Sequence, residues 1–297
     1  MIIFSAIIVF FLTFFSIENN VYSQVTEQIS NKKINICATS YPDYIPLSYI
    51  YQINNDAIFY NIFEEPLQNI LNESNVSVKL QSNLTYMDNI YATKKGQCDL
   101  LLGMYNETQN EIKEFEQIEY LYPAIISNPI NLIMLPGNVS KIRSMNDLKK
   151  LKGVYISKEY FSDYIMEIFE NYDIQPEENV EKVYEKLFLG EIDFIVGGYY
   201  YHYIQAIKLG LKDYISFSKK PLWNIPMFIG LSQKSPNYKR LKILLSKKIV
   251  DKSFSEDVEK ELKNHITELE LNSVGVVPPS FILKQDTNVL TPADEIK

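Results

Sequence analysis

A short pattern occurs twice in this chain and constrains its fold more than any other feature. Residues 96–103 read GQCDLLLG and residues 190–197 read GEIDFIVG, so both follow Gly-x-x-Asp, an apolar triplet and Gly. Such an apolar run is typical of a strand covered by helices on both faces. Helical spacing precedes each copy, and the leading Gly can end that helix in a left-handed conformation. Two such units predict two α/β lobes whose strand ends face one cleft. Two unrelated helix–turn–strand units are the alternative.

Composition excludes some classes of function. The 297 residues carry a net charge of −8, and 46% of them are hydrophobic. This apolar fraction supports a buried core, and the length suffices for two domains. The negative charge argues against binding to nucleic acid or to an anionic membrane surface.

The amino end has the pattern of a signal peptide. The apolar run over residues 1–15 is shorter than the roughly 20 residues that span a bilayer, and polar residues follow it. Small and β-branched residues at 21–23 suit cleavage before Gln24. No cysteine follows the run, so no lipid anchor is expected, and we predict a periplasmic protein. No Lys or Arg precedes the run, which leaves an uncleaved anchor as the alternative.

The two cysteines, Cys37 and Cys98, both remain after such cleavage. An even count permits a disulfide in an oxidising compartment. Each cysteine lies in or beside a predicted strand, where a buried free thiol is usual. Neighbouring parallel strands seldom give disulfide geometry. We therefore expect free thiols, with a Cys37–Cys98 bridge as the alternative.

Apolar periodicity predicts the remaining elements. Residues from 272 onward have no periodic pattern, and we expect this tail to be extended and weakly packed. Strands are predicted at 34–38, 76–80, 130–135, 153–156 and 225–231, and helices at 61–72, 86–95, 161–169, 180–188, 203–209, 241–249 and 254–269.

The order of these motifs resembles the extracytoplasmic solute-binding proteins of family 3, the receptors of amino-acid-type ABC importers. The resemblance spans about residues 33–271. It is carried by residues 44–47 (YIPL), Gly96 through Met104, Tyr122–Pro123, residues 147–149, Gly190 through Asp193 and residues 226–231.

The resemblance implies a two-lobed type II periplasmic-binding-protein fold, of the α/β class. Each lobe would be a mostly parallel sheet flanked by helices, and two crossing strands would join the lobes. The first lobe would comprise residues 24–127 plus 222–297, and the second lobe residues 128–221. The lobes would close over a small organic solute and deliver it to a membrane ABC permease.

The chain departs from this family where an amino acid would bind. The family's receptors usually place an Arg after the first repeated strand, but residues 105–117 contain only Lys113 as a cation. The family often places an Asp after the second repeated strand, where this chain has Gly198. Recognition of an α-amino acid by paired charges is therefore not visible.

Aromatic residues are the candidates for the cleft lining. Tyr86 occupies the position of a family Trp that stacks on ligand, and other tyrosines fall on strand-end loops. Tyrosine offers a flat apolar face and a hydroxyl. We therefore expect an organic solute held more by aromatic and polar contacts than by charge pairing. The alternative is that many of these tyrosines are core or solvent-edge residues. The candidate ligand-binding residues are Tyr44, Tyr86, Gly103, Tyr105, Asn106, Tyr160, Phe161, Gly198 and Tyr199.

Catalytic motifs are absent from the sequence. It contains no Gly-x-Ser-x-Gly, phosphate loop, Cys-x-x-Cys or His-Glu-x-x-His. We place His202 near the cleft mouth and His265 on a helix surface, each without a nucleophile partner. We expect a monomer without catalytic residues, metal or cofactor, whose partners are a solute and a membrane permease or sensor. The alternatives are an enzyme on the same scaffold, either a dehydratase or a cell-wall-acting protein, and a ligand receptor for a membrane sensor kinase.

Overall fold

The structure, a computed structural model, describes most of the chain. The expected signal peptide and the candidate residues Tyr44, Asn106 and Tyr160 lie outside the described residues. Of Tyr86 and Tyr105 the structure describes the backbone only. The described residues are 34–37, 48–53, 56–72, 78–81, 86–105, 116–142, 144–157, 159 and 161–282.

Within these residues the chain alternates strands and helices. The strands are β1 Ile34–Cys37, β2 Ser48–Ile53, β3 Asp56–Asn61, β4 Val78–Gln81, β5 Leu100–Tyr105, β6 Ile118–Met134, β7 Gly153–Ile156, β8 Gln175–Glu177, β9 Phe194–Gly198, β10 Ser216–Phe217 and β11 Trp223–Ser232. The α-helices are α1 Glu64–Asn72, α2 Tyr86–Lys94, α3 Asp163–Asn171, α4 Val180–Phe188, α5 Tyr199–Lys208, α6 Tyr238–Val250 and α7 Ser253–Asn272. Short 3₁₀ turns cover Pro136–Lys141, Met145–Lys150 and Lys212–Tyr214. No helix in this part of the chain is both long enough and apolar enough to cross a membrane.

One sheet runs through the molecule in the order β4-β1-β5-β11-β6-β9-β7-β8, and β10 also pairs with β6. β1 pairs in parallel with β4 and β5, while β7 pairs in parallel with β8 and β9. Between these two parallel blocks, β6 and β11 pair antiparallel with each other and with their outer neighbours. We call the block of β1, β4 and β5 with α1, α2 and α6 the first lobe, and the block of β7–β9 with α3–α5 the second lobe. The α/β fold of two parallel blocks joined by two crossing strands is confirmed.

Both copies of the repeat form the predicted helix–glycine–strand unit. Gly96 and Gly190 have φ of 77° and 71°, in the left-handed region that glycine tolerates best. The repeated Asp then fixes the start of each strand. The Asp99 carboxylate accepts a hydrogen bond from the Ser235 hydroxyl, and the Asp193 carboxylate accepts one from the N–H of Lys152 at 2.8 Å. These aspartates therefore have a structural role.

β6 is much longer than the predicted strand at 130–135. It includes Tyr122–Pro123, whose peptide bond is cis. Proline cannot donate a ladder hydrogen bond and is tolerated where pairing is irregular. The β6–β11 register shifts at this point, because Met227 pairs with Ile126 while Ile229 pairs with Leu121. The proline therefore does not end the strand.

The carboxyl end of the chain connects both lobes. Phe254 at the start of α7 is fully buried in the first-lobe core, whereas Ile266 in the same helix touches the cores of both lobes. Beyond α7, Ile282 is 3% exposed in the second-lobe core, and the ring of Phe281 lies 5.7 Å from that of Phe188. The prediction of a weakly packed tail is therefore wrong at Phe281 and Ile282, whereas Val274 and Val277 are exposed, at 82% and 79%, as expected.

The expectation of free thiols is also wrong. Cys98 is disulfide-bonded, and the only other cysteine in the sequence is Cys37. Cys98 is fully buried. It lies in the bend before β5, outside the β1–β5 ladder, which begins at Leu100. The geometric objection to bridging neighbouring parallel strands does not apply to a residue in such a bend.

Candidate functional site

The carboxyl ends of two strands face each other across the middle of the sheet. β5 ends at Tyr105, which pairs with Met227 of β11, and Met227 pairs in turn with Ile126 of β6. β9 ends at Gly198, which pairs with Ile130 of β6. The two strands approach from opposite directions and stop about 13 Å apart along β6, at about 3.3 Å per residue. We call the gap between these strand ends the cleft.

The floor of the cleft is the short stretch of the crossing strands between the two lobes. It consists of residues 127–129 of β6 and their β11 partners 224–226. Asn128 lies at its centre and is 6% exposed. Its Oδ1 atom is buried and accepts no hydrogen bond from the described residues. A buried acceptor without a donor is uncommon in a folded protein and calls for an explanation.

The first-lobe edge of the cleft is bent by Gly103. Leu102 pairs with Ile229 and Met104 pairs with Phe228, so Gly103 is the additional residue of a β-bulge. Its φ of 71° is left-handed, which explains the glycine. The predicted strand therefore continues through this glycine to Tyr105 rather than ending at it.

The second-lobe edge carries a buried carboxylate that we did not predict. Glu159 follows β7, and its Oε2 atom accepts a hydrogen bond of 2.7 Å from the N–H of Gly198. Its Oε1 atom lies 2.9 Å from Nε2 of His202. The Glu159 side chain is only 9% exposed. The carboxylate therefore links the ends of β7 and β9 at the cleft.

His202 lies behind this edge and is fully buried, rather than standing at the cleft mouth. The hydroxyl of Tyr184 is 3.0 Å from Nδ1 of His202. Burial, followed by the nearby Tyr201 and Glu159, raises the pKa of Tyr184 well above its usual value near 10. Tyr184 thus keeps its proton and remains a hydrogen-bond donor.

The glycines at the end of β9 allow this close packing. A Cβ atom on Gly197 would lie 2.1 Å from Nε2 of His202 and 2.7 Å from Oε1 of Glu159. A Cβ atom on Gly198 would lie 3.0 Å from Nδ2 of Asn128 and 3.3 Å from Oε2 of Glu159. Because Gly198 has no side chain, Asn128 of the cleft floor and the Glu159 carboxylate can both lie against its backbone.

Comparison with known proteins gives results at the level of structure alone. No family model and no curated protein matches the sequence. A solved amino-acid ABC transporter substrate-binding protein, AbpA from Streptococcus pneumoniae bound to L-arginine, is similar at a TM-score of 0.59 and 14% identity, over 80% of this chain and 95% of that one. The GluR0 ligand-binding core in complex with L-glutamate is similar at a TM-score of 0.57 and 14% identity, over 78% of this chain and 99% of that one.

The chain has the two-lobed type II periplasmic-binding-protein fold. A third solved structure of this fold is an ancestral amino-acid-binding protein described as a precursor of cyclohexadienyl dehydratase. It is similar at a TM-score of 0.53 and 14% identity, over 78% of this chain and 94% of that one.

Within this fold the described candidate residues separate into two groups. Gly103 and Gly198 lie at the two cleft edges, and the backbone of Tyr105 ends β5 there. Phe161 differs from our expectation. It is 6% exposed, and its ring packs edge-on against those of Tyr155 and Phe169 in the second-lobe core. That placement gives Phe161 a packing role.

Tyr199 occupies a separate recess. Its ring stacks on that of Tyr203 at 5.5 Å and meets that of Phe217 edge-on at 4.9 Å. These tyrosines line a recess of about 400 Å³ between α5 and α7. Burial raises the pKa of Tyr199, with a further contribution from Glu270.

Sequence reasoning missed Glu159 and Asn128. The only local signal was their position, since Glu159 follows a predicted strand and Asn128 lies at the predicted lobe boundary.

Proposed function

We propose that this protein is an exported solute-binding protein. It captures a small organic solute in the cleft and delivers it to a membrane ABC permease, without chemical turnover. The observation that carries the proposal is the pair of strand ends, at Tyr105 and Gly198, that face each other across the cleft. On the floor between them, the buried Oδ1 of Asn128 accepts no hydrogen bond from any described residue. Similarity to AbpA supports it, because AbpA is an amino-acid ABC transporter substrate-binding protein bound to L-arginine.

Solute capture works by closure of the two lobes about the crossing strands. The hinge lies at the proposed lobe boundaries, 127/128 in β6 and 221/222 just before β11. An open and a closed form exchange, and the solute shifts the population towards the closed form because it contacts both lobes only there. The permease then recognises the closed form.

The solute contacts aromatic and polar groups. We assign Tyr86 and Tyr105 to the first-lobe side, where α2 begins and β5 ends. Their rings supply stacking surface and hydroxyl groups. Residues 105–117 hold no Arg to bind a carboxylate. The solute is therefore not held as an α-amino acid is, by an Arg on its carboxylate together with an acidic residue on its ammonium group. The protein acts in the periplasm as a monomer, without a cofactor, after cleavage before Gln24.

The proposal is tested with the mature chain, residues 24–297. Thermal-shift screening against amino acids, amines, sugars and organic acids is followed by isothermal titration of each hit. Tyr86→Ala and Tyr105→Ala should each weaken binding about tenfold or more, which matches the loss of a hydrogen bond and a stacking contact. Tyr91→Ala, an exposed tyrosine of α2, is the matched control. No binding by any solute, or unchanged affinity in both variants, would contradict the proposal.

An enzyme on the same scaffold is the second candidate function. It is favoured by the similar structure described as a dehydratase precursor and by the Glu159–His202 pair at the cleft. Proton NMR of each bound solute during incubation with the protein decides between the two. Conversion of the solute supports the enzyme, and an unchanged spectrum supports capture.

A further inference from the structure

Two acceptor oxygens meet beside one backbone position at the floor of the cleft. Measured from a Cβ atom built on Gly198, Oδ1 of Asn128 lies at 3.2 Å and Oε2 of Glu159 lies at 3.3 Å. The two oxygens are thus no more than about 6.5 Å apart. One nitrogen that makes hydrogen bonds of about 2.9 Å can reach two acceptors at nearly this separation, and a planar guanidinium spans it easily.

The Asn128 acceptor receives no hydrogen bond from the part of the chain that the structure describes. Asn128 is 6% exposed, and no described residue donates to Oδ1. A buried acceptor without a donor costs free energy that a suitable ligand N–H recovers on binding. Asn128 lies in the crossing strand, so a ligand that reaches it also sits at the hinge between the lobes.

His202 and Tyr184 hold the Glu159 carboxylate from behind the cleft edge. The Tyr184 hydroxyl lies 3.0 Å from Nδ1 of His202 and 3.1 Å from the His202 carbonyl oxygen. Tyr184 therefore holds the imidazole in place through contacts at Nδ1 and at the carbonyl oxygen. An ionised carboxylate only accepts hydrogen bonds, so Nε2 of His202 donates to Oε1 of Glu159.

The Glu159 carboxylate has acceptor capacity left. A carboxylate offers about four acceptor positions, and the N–H of Gly198 and Nε2 of His202 use two of them. Among the described residues, no Lys or Arg forms a salt bridge with Glu159. The cleft edge thus presents a carboxylate with acceptor positions left and a neutral amide acceptor to whatever binds.

We propose that Glu159 and Asn128 form a subsite for a cationic N–H group of the solute, either an ammonium or a guanidinium. Glu159 supplies the negative charge, and Oδ1 of Asn128 orients the cationic group by accepting a hydrogen bond from it at the cleft floor. His202 and Tyr184 are positioning residues that hold the carboxylate. The subsite rests on the proposed function, since it assumes that a solute occupies the cleft.

The test uses pairs of probes that differ in one group. L-Arginine is compared with L-citrulline, which has a neutral urea in place of the guanidinium, and putrescine is compared with 1,4-butanediol. Isothermal titration into the mature protein should show the cationic member of at least one pair binding tenfold or more tightly. Glu159→Gln should weaken that binding tenfold or more, and Asn128→Ala should weaken it about fivefold. Glu167→Gln, which removes an exposed charge from the same lobe, should change nothing.

Folding of each variant is checked by thermal unfolding and by its affinity for a neutral solute from the library. Neutral members that bind as tightly as cationic ones would overturn the subsite, as would folded Glu159→Gln and Asn128→Ala proteins with full affinity for the cation. Binding of neutral or anionic solutes alone would also overturn the subsite, but it leaves the proposed function intact. A library in which nothing binds contradicts both.

Discussion

The hydroxyl of Tyr203 donates a 2.6 Å hydrogen bond to Oε1 of Glu270 and so ties the second lobe to the last helix. Nζ of Lys212 lies 2.5 Å from the same oxygen. Because α7 starts in the first-lobe core at Phe254, the helix is a third connection between the lobes, besides β6 and β11. When the cleft closes, the second lobe must therefore either carry α7 with it or slide along this helix.

Removal of the Glu270 charge should loosen this connection. The hydrogen bonds from Lys212 and then Tyr203 lower the pKa of Glu270 below its usual 4.5, so the contribution to stability is present above that pH and is lost as the pH falls below it. Because the carboxylate is 33% exposed, Glu270→Gln should cost only about 0.5 kcal/mol at pH 7. Urea unfolding at pH 7 and pH 3 measures the difference. The exposed Glu268→Gln is the control, and an equal cost at both values of pH would contradict the assignment.

His265 should make the protein less stable in mild acid. This residue is 7% exposed rather than on the surface as expected, and burial lowers its pKa from 6.5 to about 4. The unfolded chain therefore binds a proton near pH 6.5 that the folded chain refuses, so stability falls as the pH drops from 6.5 to 4. The loss amounts to at most about 3 kcal/mol. Urea unfolding at pH 7, 5.5 and 4.5 should show a shallower loss for His265→Gln. Parallel curves for the two proteins would refute the prediction.

The disulfide of Cys98 should contribute strongly to stability. Alkylation of the denatured protein should add no label before reduction and two labels after it, as read by intact mass. Reduction should lower the free energy of unfolding by about 2–5 kcal/mol, because the unfolded chain regains the freedom that the bond removes. Label incorporation without reductant would contradict the bond.

Gly197 should tolerate no larger side chain. A Cβ atom there overlaps Nε2 of His202, so Gly197→Ala must displace either the imidazole or Glu159. We expect Gly197→Ala to lower the free energy of unfolding by about 1–3 kcal/mol and to weaken solute binding. Gly137→Ala is a matched control, because nothing lies within 4 Å of its Cβ position. Thermal unfolding of both variants measures the difference, and equal melting temperatures would contradict the crowding.

The sequence predicted those elements whose signals are local. The left-handed glycines Gly96 and Gly190 and the apolar triplets after them depend on neighbours in the chain, so the two units and their order could be predicted. The hairpin of β2 and β3 was missed, and β6 was predicted to begin only at residue 130, although it starts at Ile118 and runs through Pro123. Whether that proline ends a strand depends on the register with β11, which no local pattern reveals.

The candidate site was less predictable for the same reason. Glu159 meets its partners Gly198 and His202 at separations of 39 and 43 residues, and only the parallel pairing of β7 with β9 brings them together. Phe161 follows the same strand end, yet it turns into the core. A polar or aromatic residue beside a strand end therefore indicates a possible site. Whether its side chain faces the cleft or the core depends on the tertiary packing.

The most direct test of two lobes closing over a solute is a distance measured across the cleft. Spin labels are placed at Asp88→Cys and Tyr164→Cys, exposed positions near the starts of α2 and α3, and compared with a pair inside the first lobe, Asp88→Cys and Ile243→Cys. Double electron–electron resonance is recorded with and without a saturating amount of the tightest-binding library solute. The account predicts that the solute shortens and narrows the distance between the lobes while the control distance stays constant. An unchanged distribution between the lobes at saturation would contradict it.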